Sequence, residues 1–150
     1  DWISAMPTNL YGPGDNYDLN SSHVLPALLR KFHEAKVSGA SEVTVWGSGT
    51  ALREFMHCDD LASALLFLLK DYSGYEHINV GSGVEVSIRE LVEAIAKVVG
   101  YDAKIVWDKT KPDGTPRKII DNSIALTYGW KPKVSLEEGF QITLKDYLSK

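Results

Sequence analysis

The sequence predicts a mixed α/β domain, and three kinds of observation carry that prediction. Short runs rich in Val, Ile, Thr and Trp alternate with longer stretches of helical period. Capping-box tetrads stand ahead of two of those stretches, Ser87-Ile88-Arg89-Glu90 and Ser135-Leu136-Glu137-Glu138. Glycine- and proline-rich segments such as Gly12-Pro13-Gly14 and Gly47-Ser48-Gly49 separate the runs. A length of 150 residues suits one domain. At that size roughly 70% of the unfolded surface can be buried.

Taken in order, residues 2–6 form a short apolar strand, and the turn formers of 7–14 end it. Polar residues 15–22 continue that loop. Ser22 then precedes Val24, Leu25, Leu28, Leu29 and Phe32, whose spacing predicts a helix that tolerates Pro26 in its first turn. Residues 43–46 and 52–56 are strands flanking a glycine turn, so a hairpin-like unit is expected. Asp59 or Asp60 is expected to cap a helix over 61–70. Residues 77–80 form a strand leading through Gly81-Ser82-Gly83 to the first capping box and a helix that closes at Gly100. A strand over 104–107, a charged loop over 111–118, a short helix between Asp121 and Gly129, and a last helix after Ser135 complete the chain.

Composition narrows the function. The net charge of −4 comes from interleaved acids and bases, so no basic face recommends a nucleic acid. No apolar run approaches a membrane span, since the longest, residues 61–69, is broken by Ser63. With one cysteine and no signal-peptide pattern, a reduced cytoplasmic protein is expected. The opening at Asp1, in what reads as mid-strand, predicts a fragment of a longer protein.

Gly81-Ser82-Gly83 lacks the third glycine of a dinucleotide fingerprint, Val86 standing in its place, and is read as a connecting turn. His57-Cys58-Asp59-Asp60 is read as a core cysteine beside a helix cap, on the expectation that adjacent strand residues point apart and cannot share a metal. No Walker loop or Gly-x-Ser-x-Gly elbow is present. What remains is a scatter of polar groups at loops and element starts: His23, Lys31, Trp46, Arg53, Asp113, Arg117 and Lys118. Cations, an aromatic wall and a carboxylate suit a nucleoside diphosphate, although solvated surface charge would give the same pattern.

In sequence order, Met6-Pro7-Thr8-Asn9-Leu10-Tyr11-Gly12-Pro13, the helix from Ser22 to Phe32, Val45-Trp46-Gly47-Ser48-Gly49, Arg53-Glu54-Phe55-Met56-His57 and Lys111-Pro112-Asp113-Gly114-Thr115-Pro116-Arg117-Lys118 resemble GDP-L-fucose synthases. The resemblance runs through all 150 residues. It implies the C-terminal substrate-binding domain of an extended short-chain dehydrogenase, with residues 1–14 a remnant strand of the Rossmann domain and 15–150 the GDP-sugar-binding part. Enzymes of that family epimerise C3 and C5 of GDP-4-keto-6-deoxy-mannose and reduce C4 with NADPH to give GDP-L-fucose, typically as homodimers. Position by position it implies Pro7, Thr8, Asn9 and Leu10 near the nicotinamide, His23 as a proton donor that also adjoins the cofactor, and Lys31, Trp46, Arg53 and Asp113 on the substrate. The family's Tyr-x-x-x-Lys pair has no match, because no tyrosine here has a lysine four residues on. Cys58 stands where the family usually has valine, and is not its catalytic cysteine. The resemblance therefore implies a chain that does not reduce by itself. A nucleotide-sugar binding module without chemistry, or part of a related nucleotide-sugar epimerase or reductase, are the alternatives.

Overall fold

A computed structural model describes residues 2–150. In chain order its elements are β1 (Ala5–Pro7), β2 (Asn9–Tyr11), α1 (Val24–Ser38), β3 (Glu42–Trp46), β4 (Leu52–His57), α2 (Cys58–Asp71), β5 (Ile78–Val80), β6 (Glu85–Ser87), α3 (Ile88–Val99), β7 (Lys104–Asp108), β8 (Arg117–Lys118), α4 (Ser123–Thr127) and α5 (Leu136–Leu148). The mixed α/β expectation is met.

β4 organises the chain. Its first half pairs antiparallel with β6 and parallel with β8, while Phe55, Met56 and His57 pair parallel with β2. Because successive side chains on a strand face opposite ways, Phe55 and Met56 enter two different cores. Phe55 joins α1, α3 and α5 around Leu25, Phe32, Ile95 and Phe140. Met56 joins α2 and β5 around Ala64, Leu68, Ile78 and Trp130. A fully buried phenylalanine or leucine contributes about 1.5–3 kcal/mol by leaving water. The helical spacing read for α1 is what buries Leu25, Leu28, Leu29 and Phe32 on one side. Among the described residues no helix is long and apolar enough to cross a membrane.

Several local expectations are corrected. The first strand lies at Ala5–Pro7, not 2–6, because its parallel partner β5 is three residues long and offers a ladder only there. Trp2 is 97% exposed. Residues 9–11, read as loop, become β2 because β4 offers them an edge. The expected hairpin does not form. Gly47 and Gly49 take positive φ and turn the chain so that β3 pairs parallel with β7 while β4 goes to another sheet. The cap of α2 is neither Asp59 nor Asp60 but His57, whose Nδ1 accepts the Asp59 N–H at 3.3 Å. Asp60 is buried and instead accepts the N–H groups of Lys133 and Val134 at 2.9 and 3.0 Å. The capping box of α3 forms in both directions. In α5 the serine half forms, from Glu138 N–H to Ser135 Oγ.

Candidate functional site

The segment after β2 turns away at Gly12, where φ is +149° and a side chain would collide with Cys58 Sγ. That turn and the start of α1 enclose a cavity of about 550 Å³ against β4. Thr8, Asn9, Leu10, His23, Arg53 and Phe55 are among its walls. Five of the nine residues to which the resemblance gives a role thus meet in one place, although they come from three separate stretches of chain.

Each is held there by local physics. The side-chain donors of Thr8 and Asn9 bond the carbonyl of Glu54 at 3.2 and 2.7 Å, which fastens β2 to β4. His23 is the N-cap residue of α1 by backbone, but its imidazole makes no capping bond and stays exposed at the cavity lip. A polar ring that is not used by its own helix is available to a ligand. Arg53 is half-buried, donates from Nη1 to the Leu52 carbonyl at 2.7 Å, and keeps further donors.

The other four residues stand outside this cavity. Pro7 sits in the β1–β5 ladder, exposed. Trp46 ends β3 and is 67% exposed, with the Lys111 ammonium 5.4 Å from its ring centre. Asp113 sits on the turn that follows Trp46: its carboxylate accepts Ser48 N–H at 2.6 Å and Ser48 Oγ–H at 2.8 Å. Those bonds, the backbone one foremost, hold its acidity below the usual carboxylate range. Gly47 must be glycine here, since a Cβ would run into that carboxylate. The 111–118 loop next passes Arg53, whose Nη2 lies 3.6 Å from where a Cβ on Gly114 would be. Lys31 projects from α1 onto the Thr44 carbonyl of β3, and burial lowers its pKa. The structure therefore joins Trp46 and Asp113 at a rim that continues to Arg53 in the cavity. Lys31 reaches the same strand that ends in Trp46.

Three participants escaped the sequence reading. Ser48 anchors the Asp113 loop, and nothing but its place in a glycine turn marked it. Glu54 is 1% exposed and holds three chain segments, yet in sequence it is one acid among 20. Cys58 lines the cavity and is not core; burial and the neighbouring Asp59 raise its thiol pKa. The expectation that His57, Cys58 and Asp59 point apart is also corrected. They straddle a strand end and a helix start, so one ligand atom from each lies within 4.8 Å of the others. His57 Nδ1 is already taken by the helix cap, while its buried Nε2 has no partner among the described residues. Tyr11, packed against His57 and Phe140, is kept a neutral phenol by burial first and by Asp60 second.

The NAD dependent epimerase/dehydratase family matches residues 1–81. A probable GDP-L-fucose synthase 1 of Oryza sativa subsp. japonica is 62% identical over 148 residues, covering 99% of this chain and 45% of that protein. The GDP-L-fucose synthase of Escherichia coli (strain K12) is 49% identical over 157 residues, covering 99% of this chain and 49% of that protein. A crystal structure of a GDP-L-fucose synthetase from Naegleria fowleri bound to NADP superposes with a TM-score of 0.89 at 30% identity, covering 98% of this chain and 46% of that one. The chain spans about half the length of the curated relatives it matches.

Proposed function

Because the chain belongs to the NAD dependent epimerase/dehydratase family, we propose that it forms the GDP-sugar-binding part of a GDP-L-fucose synthase, a GDP-4-keto-6-deoxy-mannose 3,5-epimerase-4-reductase. The observation that carries this reading is the meeting of an uncommitted imidazole, His23, and a half-buried guanidinium, Arg53, in one cavity beside the Trp46–Asp113 rim. Residues 1–14 belong, on this reading, to the cofactor-binding side and 15–150 to the sugar side.

The chemistry follows from what a ketone does. A carbonyl at C4 acidifies the protons at C3 and C5, so a base can remove each and an acid on the other face can return it. An imidazole titrates near neutrality and suits that acid role, which we assign to His23. Arg53 and Lys31 bind the diphosphate, Arg53 through paired N–H donors and Lys31 as a point charge. Trp46 supplies an apolar face. Asp113 keeps acceptor capacity beyond the bonds from Ser48 and Gly49, and takes ribose hydroxyls. Holding the nucleotide remotely fixes the sugar over His23, so binding energy is used for orientation.

The cavity also suits the nicotinamide end of NADPH, since Leu10 and Phe55 give it apolar walls. Thr8, Asn9, Leu10 and His23 would line that end, with Pro7 behind them; reduction of C4 draws its hydride from NADPH when it is bound. The side chains of Thr8 and Asn9 are committed to Glu54, so their contribution is shape and backbone. We further propose that the longer protein is a cytoplasmic homodimer.

For the 150 residues alone the expected behaviour is weak binding of GDP without reduction, because the Tyr-x-x-x-Lys pair has no match in them. Calorimetry with GDP, and an absorbance assay with the keto-sugar and NADPH, test both halves. No heat with GDP would remove the substrate reading, and turnover by the pure chain would remove the account of its inactivity.

A further inference from the structure

A carboxylate buried without a cation stands beside the cavity, and none of the ligand-binding roles proposed above includes it. Glu54 is 1% exposed. Its Oε1 accepts the Gly83 N–H at 2.8 Å and the Ser82 hydroxyl at 3.4 Å, and its Oε2 accepts the Ile120 N–H at 3.2 Å. Among the described residues no lysine or arginine pairs with it, so its charge is met by backbone dipoles and one hydroxyl. Gly81 is glycine for the same reason, because a Cβ there would strike Oε1. Two asparagines reinforce the clamp: Asn122 Nδ2 donates to the Gly81 carbonyl and Asn79 Nδ2 to the Asp121 carbonyl.

What this clamp holds is the return end of the 111–118 loop. The head of that loop is fixed by Asp113 on Ser48, and its last two residues, β8, pair with β4. Ile120, two residues past β8, is where Glu54 grips it. Glu54's own carbonyl accepts the side chains of Thr8 and Asn9 from the cavity wall, and its neighbour in sequence is Arg53. One residue therefore ties together the cavity edge, the cation in the cavity and the loop that carries Asp113.

We propose that Glu54 is a positioning residue: its carboxylate fixes the Asp113 loop relative to Arg53 and the Thr8–Asn9 edge, and so sets affinity for the nucleotide without touching it. This rests on the GDP-binding reading above. Glutamine in its place would turn an NH₂ toward one of the N–H donors that the carboxylate now accepts, and would release that segment.

Amide exchange measured by NMR on the whole chain, with GDP titration alongside, decides the matter. In the wild type the Gly83 and Ile120 amides should exchange more slowly than the exposed amides of 111–116. Glu54→Gln should speed at least one of the two by about 10- to 100-fold, the change expected from losing a hydrogen bond to a charged acceptor. It should also weaken GDP by about 10-fold, within the usual range of coupling between sites. Asp113→Asn added to Glu54→Gln should weaken GDP no further than the worse single variant, since both act through one loop. A residue of merely structural importance would give additive losses, and that result overturns the proposal. So does a folded Glu54→Gln chain with unchanged exchange or unchanged GDP affinity. If Glu54→Gln does not fold, Glu54→Asp, which keeps the charge but is one methylene too short to reach both segments, carries the same tests. If the wild type binds no GDP, the functional reading falls, and the exchange data still decide whether Glu54 holds the loop.

Discussion

Gly12→Ala is expected to destabilise the chain for two separable reasons, and a second substitution tells them apart. The backbone at Gly12 has φ of +149°, which L side chains rarely adopt. Holding alanine there costs about 1–3 kcal/mol. The added Cβ also overlaps Cys58 Sγ, and overpacking of that kind costs about 1–3 kcal/mol more. The sum, about 2–6 kcal/mol, is a large part of the 5–15 kcal/mol that is typical of a domain. Cys58→Ala made in the Gly12→Ala chain removes the overlap and leaves the backbone strain, so it should restore about half of the loss. Urea unfolding followed by tryptophan fluorescence measures all four chains of the cycle. Gly12→Ala within about 0.5 kcal/mol of wild type, the range of a neutral surface change, would refute the account of this turn. Failure of Cys58→Ala to restore anything would refute the steric half alone.

Two further outcomes follow from the same geometry. In a protein joining this chain to the cofactor-binding half of a GDP-L-fucose synthase, His23→Gln should slow epimerisation by about 10²–10⁴-fold and leave GDP affinity near wild type; loss of folding in its place would assign the imidazole to the start of α1. Asp113 has a folded-state pKa below its ordinary 3.8, so its contribution is complete above that value and is lost as the pH falls through the lower folded one. Exchange of the 111–118 amides should therefore rise on acidification below 3.8, and Asp113→Asn should abolish that dependence.

The helices were legible because their signals are local. A Ser-x-x-Glu tetrad, a 3.6-residue apolar period and a closing glycine need no knowledge of the remaining chain, and α1, α3 and α5 lie where those signals put them. The strands were legible in number more than in pairing. A three-residue strand such as β1 or β6 exists because a partner edge is present, and no composition announces that partner. The hairpin reading failed on this point, since β3 and β4 share a turn but take partners far along the chain, in β7 and β2. Among the site residues, His23 and Arg53 stood out as polar groups at element starts, Thr8, Asn9 and Leu10 were found through resemblance, and all five are brought together in the cavity. Glu54 and Asp60 were not found, or were given the wrong task. Their work is to accept N–H groups from residues 29 to 74 positions away, and sequence carries no local trace of such a bond.

The five residues from Arg53 to His57 indicate why so much of the site depends on one strand. Arg53 faces the cavity, Glu54 grips the loop after β8, Phe55 fills one core, Met56 fills the other, and His57 caps α2. Two of those side chains are apolar anchors, and each can be displaced only by opening its core. Phe55 at 3% and Met56 at 1% exposure therefore fix the register of β4, with a one-residue slip placing each in the other's core. That register is what aims Arg53 into the cavity and Glu54 at the Gly83 and Ile120 amides. The packing energy of two cores is in this way turned into the placement of two charges, and the polar groups need contribute little to stability in order to be held precisely where a nucleotide would meet them.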